Sequence, residues 1–186
     1  MLLTVLKKHL VLFVLPIIYA FFCIHTTHKS PNAFLQTVDP EYIHLISSVN
    51  LAEGNLNIQS IESPGTPLYV LGAITAKVTC FVSSNDSLKE DFISDPEKYI
   101  YAFRMVLLLL TTVALYILGY VVQKVSQSSI TAILFQLAPF LSVDIMLTST
   151  LVTPDHFLVM LMLLYIAVLF NYIHKDNNTD GIKSAL

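Results

Sequence analysis

No tryptophan occurs in this chain, and only 12% of its 186 residues are charged. A soluble domain carries charge on roughly a quarter of its residues, so an ordinary water-exposed globule is excluded. Basic side chains are few and scattered and the formal net charge is only -3, which removes a nucleic-acid surface from consideration. Cysteine is almost absent. Cys23 and Cys80 lie alone in separate apolar segments, so they form neither a disulfide framework nor a metal-ligand spacing and are expected as small buried packing residues. His25, His28 and His156 are too scattered for a ligand set, and neither a metal nor a cofactor is expected.

What the chain has in excess is apolar side chains, 55% of the total. A spanning helix needs about 20 such residues in a row. Stretches 10–24, 99–122, 130–148 and 154–173 meet or approach that length, which predicts an all-α, polytopic membrane helical bundle of about four transmembrane helices. Lys7 and Lys8 ahead of 10–24 mimic a signal peptide, but no small-residue cleavage site precedes His25, so the segment reads as a retained first span. A fifth apolar stretch, Pro67–Val82, is short and carries Lys77 in its interior. If it does not cross, Lys7, Lys8, Lys124, Lys175 and Lys183 all fall on the cytoplasmic side, as the positive-inside rule demands. It is therefore expected as a juxtamembrane or re-entrant helix at the outer interface. The resulting organisation is a single membrane domain, 1–186, with its N-terminus in the cytoplasm. An extracytoplasmic loop at 26–98 bears interfacial juxtamembrane helices, and 174–186 forms a polar, partly disordered tail.

Under this topology the acidic residues gather on the outer side. Asp39, Glu41 and Glu62 fall in the first outer loop, Asp95 and Glu97 precede the second span, and Asp155 opens the last. Asp144 lies within about three turns of the outer end of its span. Asp39-Pro40-Glu41 also has the syntax of a helix start: a capping aspartate, a proline at the first helical position and a glutamate at the positive end of the dipole. The same syntax recurs in Asp95-Pro96-Glu97 and in Thr153-Pro154-Asp155. The helix begun at Asp39 is predicted to carry Tyr42, Ile43, Leu45, Ile46, Val49 and Leu51 on one apolar face, to stop at Gly54 and to lie flat on the interface. Ser63-Pro64-Gly65-Thr66-Pro67 then makes a rigid turn. Arg104, one turn into the second span, is the natural counter-charge for Asp144 or for an anionic ligand, unless its head snorkels to the interface. Pro139 is expected to bend the third span.

The basic N-terminus, the first span, Asp39-Pro40-Glu41-Tyr42, the Asn50-Leu51-Ala52-Glu53-Gly54 helix end, Pro64-Gly65-Thr66-Pro67-Leu68 and Arg104 together resemble the N-terminal part of a GT-C glycosyltransferase. Within that superfamily the chain is most similar to the protein O-mannosyltransferase and aminoarabinose-transferase branch. The likeness runs over residues 10–173, and the two proline-containing motifs are its specific parts. It implies transfer of a sugar from a polyprenyl-phosphate carrier to an acceptor hydroxyl at the extracytoplasmic face, in the bacterial inner membrane. It implies Asp39 as the general base, since a hydroxyl attacking an anomeric carbon must lose its proton to a positioned carboxylate. Glu41 is then the second catalytic carboxylate, orienting the acceptor or tuning Asp39. On charge and depth, Arg104 is expected to face the phosphate leaving group, because a planar fork of donors suits phosphate oxygens. Glu62 and Asp155 complete the expected substrate-binding side chains.

Ser63 stands where related proteins often carry a histidine before Pro-Gly-Thr-Pro. Members of the superfamily have many more spans, so the resemblance implies a shortened product or one piece of a split enzyme. The expected partners are the polyprenyl-phosphate sugar donor, membrane lipid and a multi-span partner subunit. A second reading is a non-catalytic four-span membrane scaffold or accessory subunit. A small transporter fits less well, because no span is interrupted by paired glycines and no inverted repeat is visible.

Overall fold

The computed structural model describes residues 2–29, 41–55, 66–84 and 86–183. Among these residues the chain is all-helical, with no strand. Helix α1 (Leu2–Lys29) is followed by α2 (Glu41–Ala52), α3 (Thr66–Val82), the short α4 (Leu88–Ser94) and the long α5 (Pro96–Ser126). Helix α6 (Ser129–Leu137), a 3-10 turn at Ala138–Leu141, α7 (Val143–Thr148) and α8 (Pro154–Lys183) complete the order. Three helices, over Leu10–Thr27, Pro96–Ser126 and Pro154–His174, are long and apolar enough to cross a membrane. The chain is an all-α membrane protein.

The helix starts follow the capping syntax of the sequence. Asp95 Oδ1 accepts the Lys98 N–H at 3.2 Å at the start of α5, and Thr153 Oγ1 accepts the His156 N–H at 3.3 Å at the start of α8. Ser87 and Ser128 do the same for α4 and α6, accepting from Glu90 N at 3.4 Å and Thr131 N at 3.3 Å. The third proline-containing start, at Asp39-Pro40, lies outside the described residues. Where α2 was expected to stop, Gly54 takes a φ of +79°, a conformation that costs glycine nothing and other residues much.

Two segments differ from the sequence expectation. Residues 130–148, expected as a single span, are divided into α6, the 3-10 turn and α7. Pro139 has no N–H to continue the ladder. Ser142 then leaves the helical region, with φ -118° and ψ 119°, and its Oγ accepts the Ile145 N–H at 3.3 Å, so a second helix start is built into the middle of the apolar run. The polar residues after the last span, expected as a partly disordered tail, instead continue α8 to Lys183. Extending an existing helix avoids the nucleation cost that a new one bears.

The chain divides into two compact units. One comprises Met1–Phe22, Leu110–Met146 and Leu158–Leu186. In it Phe13 stacks on Tyr116 with ring centroids 4.2 Å apart, and Phe135 meets Phe170 edge-on at 5.0 Å, tying α1 to α5 and α6 to α8. The other comprises Cys23–Leu109 and Leu147–Phe157. Here α2 packs on α3, and Leu45, Val49, Leu68, Ala76, Tyr99 and Phe103 belong to its core.

Helix α2 turns Glu41, His44, Leu45, Ser48, Val49 and Ala52 inward, at the spacing of three and four that marks one helical face. Of the six apolar residues expected on one face of an interfacial helix, Leu45 and Val49 are fully buried in the protein, while Tyr42 is 39% exposed. The buried face is thus rotated toward polar side chains. Close approach to α3 depends on Gly72: a Cβ there would run into Ser48 Oγ and come within 2.6 Å of Phe103 Cε1. Beyond α3, Lys98 Nζ of α5 donates to both Asp91 oxygens at 2.8 Å and to Ser83 Oγ at 3.0 Å, and the Tyr99 hydroxyl donates to Asp91. These bonds fasten α4 to α5.

Gly72→Ala should therefore destabilise the protein by about 1–3 kcal/mol, the overpacking cost exceeding the roughly 1 kcal/mol that alanine gains as a helix former. Thermal unfolding in mild detergent measures this. An unchanged or raised midpoint would mean that α2 and α3 are not in close contact at this point.

Candidate functional site

A buried polar cluster of the second unit is built around Glu41, the first residue of α2, and Arg104, about two turns into α5. Glu41 is completely buried and Arg104 is 8% exposed. Arg104 Nε donates to Glu41 Oε1 at 3.0 Å and its Nη2 donates to Oε2, a two-pronged contact that matches the planar guanidinium to the planar carboxylate. The backbone N–H of Val152, in the connection from α7 to α8, also donates to Oε1, at 2.5 Å. One carboxylate thus joins three segments that are distant in sequence.

Other buried polar side chains belong to the same elements. The Tyr69 hydroxyl of α3 lies 3.4 Å from His44 Nδ1, with the two rings stacked at 5.8 Å. Ser48 Oγ donates to the His44 carbonyl at 2.7 Å. His156, 1% exposed at the start of α8, sets its Nδ1 3.0 Å from the Leu151 carbonyl, and because a carbonyl only accepts, that nitrogen carries the proton of the bond.

A buried ion pair loses several kcal/mol of hydration per ion and recovers it only when the geometry is good and the remaining lone pairs are met. Both conditions hold at Glu41. Its charge is neutralised by a fork, and its more heavily used oxygen takes a backbone N–H besides.

The residues singled out in the sequence are distributed unevenly. Asp39 and Glu62 lie outside the described residues. Glu41 and Arg104 are brought together, but not as expected: the sequence assigned one to the acceptor and the other to the phosphate, and the structure gives them to each other. Arg104 does not snorkel outward, and Asp144, offered as its counter-charge, is exposed in the first turn of α7. Asp155 is exposed in the first turn of α8, where it favours the positive end of that helix. His44, Tyr69, Val152 and His156 carried no sequence signal that assigned them here. Only the spacing of Glu41, His44 and Ser48 hints that a polar stripe shares the face of Leu45 and Ala52.

An open depression of about 380 Å³ lies over α4, lined by Asp86, Ser87, Glu90, Asp91 and Ser94. Asp91 is already held there by Lys98 and Tyr99. Among the described residues, no three His, Cys, Asp or Glu side chains converge as a metal site would require. A carboxylate closed to solvent with both oxygens engaged holds a position and a charge. In this arrangement Glu41 and Arg104 anchor the start of α2.

No protein-family model, curated protein or solved structure matches the chain.

Arg104→Met strands the Glu41 charge and should cost about 3–5 kcal/mol. The double variant Glu41→Met with Arg104→Met removes both charges and leaves only the Val152 N–H unmet, a loss of about 1–3 kcal/mol. Unfolding midpoints of the two variants in the same detergent compare these costs. A double variant less stable than Arg104→Met, by as much as Glu41→Met costs alone, would show that the two side chains are not coupled.

Proposed function

We propose that this chain forms the N-terminal part of a GT-C-like glycosyltransferase. It contributes to transfer of a sugar from a polyprenyl-phosphate carrier to an acceptor hydroxyl at the extracytoplasmic face of a bacterial inner membrane, with its N-terminus in the cytoplasm. The observation that carries this reading is the anchoring of α2. The segment between the first two membrane-crossing helices includes α2 and α3 packed on each other, and Glu41 ties the start of α2 to Arg104 of α5 and to Val152.

A general base must be held in a fixed place relative to the proton it takes. Asp39, the proposed base, precedes the anchored Glu41 by two peptide links, which span roughly 7 Å when fully extended. Glu41 and Arg104 then act through Asp39, as positioning residues. In the proposed reaction the Asp39 carboxylate takes the proton of the acceptor hydroxyl as its oxygen bonds to the anomeric carbon. The bond from that carbon to the carrier phosphate oxygen breaks, and its electron pair leaves with the phosphate. One displacement inverts the anomeric centre, and no covalent enzyme intermediate forms. Further spans for the carrier come from a multi-span partner or from additional chain.

A second reading, a non-catalytic membrane scaffold or accessory subunit, is favoured by one observation. Asp95 and Thr153, which share the Asp39 syntax, act as helix caps.

Asp39→Asn separates the two readings, because asparagine caps a helix as well as aspartate does but takes no proton. The gene is deleted in its own cell and restored as wild type or as Asp39→Asn, with membrane glycoconjugates followed by mass spectrometry. The expected outcome is a sugar-sized mass addition that is restored by the wild type and lost with the Asp39→Asn variant, at equal protein levels in the membrane. Restoration by both forms would leave the scaffold reading.

A further inference from the structure

Pro16 lies inside α1, in the part of the chain that is long and apolar enough to cross a membrane. Without an N–H it cannot bond to the carbonyl of Leu12 one turn before it, and in apolar surroundings an unmet carbonyl is costly. That carbonyl is met from elsewhere. Gln136 Nε2, on α6, donates to Leu12 O at 3.0 Å and to Leu115 O of α5 at 3.1 Å. One amide NH2 carries two protons, so both bonds are made at once.

The orientation of this amide follows from chemistry. Carbonyls only accept, so Nε2 must face the two of them and Oε1 must face away. Oε1 is buried and meets no donor among the described residues. Gly119, one turn beyond Leu115, provides the clearance: a Cβ there would strike Gln136 Nε2 and come within 2.5 Å of Cδ. Four residues after Gln136, Phe140 meets the Tyr19 ring edge-on at 5.7 Å, and Tyr19 is two turns beyond Leu12 on α1. Leu12, Tyr19 and Gln136 are all completely buried.

We propose that Gln136 is the pin of a proline hinge in α1. A hydrogen bond that would normally lie within α1 has been replaced by one from another helix, so the angle of α1 at residue 16 is set by α6. A proline break whose carbonyl is held is rigid, and one whose carbonyl is released bends. Pro16, Gly119 and Gln136 form one device: the first opens the ladder, the second clears the space, and the third closes the gap. This inference stands apart from the glycosyltransferase reading.

The test measures the bend itself. Spin labels replace Leu10 and Phe21, which are 57% and 71% exposed and lie on either side of Pro16 within the first unit, in protein carrying Cys23→Ala and Cys80→Ala. An α-helix places them roughly 17 Å apart, and pulsed electron resonance reads the distance distribution in mild detergent. A narrow distribution is expected with Gln136 present, and a clearly broader one with Gln136→Leu. Adding Pro16→Ala to Gln136→Leu should restore the narrow distribution, because an alanine in place of the proline supplies the N–H that the Leu12 carbonyl lacks. Equal widths with and without Gln136, or a width that Pro16→Ala does not correct, would overturn the proposal. If Gln136→Leu does not fold, Gln136→Asn, too short to reach both carbonyls, takes its place with the same expectations. Gly119→Ala, which displaces Gln136, should broaden the distribution in the wild-type background and change nothing in the Gln136→Asn background.

Discussion

A carboxylate and a guanidinium removed from water at the same point constrain everything around them. Neither Glu41 nor Arg104 can be buried alone, since an uncompensated charge in such surroundings costs more than the folded state has to spare. Their fork therefore acts as a fixed distance between the start of α2 and the second turn of α5, and the Val152 N–H adds a third point. With one end of α2 fixed, its rotation is fixed too. The face bearing Glu41 must turn inward, carrying His44 and Ser48 with it and leaving Tyr42 half exposed. Ser48 then meets α3 where only glycine can pass, at Gly72. The way α2 packs on α3 thus depends on where one salt bridge sits.

The same rule operates at Gln136 with neutral groups. In apolar surroundings dispersion contacts have little direction, while each unmet carbonyl carries a definite cost, so single polar side chains decide how helices are registered. Glu41 satisfies one backbone N–H besides its partner, and Gln136 satisfies two backbone carbonyls. Each acts on a backbone group placed outside the regular helical ladder: Val152 precedes the capped start of α8, and Leu12 faces a proline.

How far the sequence could be read depended on where each signal lay. Long apolar runs identified the membrane-crossing helices at 10–24, 99–122 and 154–173, because hydropathy is a local property. Capping syntax identified the starts at Asp95 and Thr153, because a cap bonds only three residues ahead. The break in 130–148 was half visible: Pro139 announced a bend, but Ser142 as a second cap was hidden among apolar neighbours. The inward face of α2 was not foreseen for a different reason. Periodicity finds a face through its apolar members, and this face is held by a partner 63 residues away that leaves no local trace. Arg104 was seen as a charge in need of a partner, yet sequence alone offered Asp144 or an anionic ligand, and Glu41 was not among the candidates.

Capping and catalysis at a carboxylate are not exclusive uses. In the described start of α5, Asp95 spends one oxygen on the Lys98 N–H, and its other oxygen has no part in the cap. A capping aspartate is therefore still equipped to accept a proton, and the positive end of a helix stabilises negative charge placed there. The same stabilisation weakens it as a base, so a carboxylate in this position takes a proton well only when the acceptor hydroxyl is already losing it to bond formation. Late proton transfer of that kind suits a displacement in which the carrier phosphate leaves readily. It also demands that the carboxylate stay put while the bond forms, and in the proposed reading the buried, fully engaged Glu41 at the next-but-one residue meets that demand.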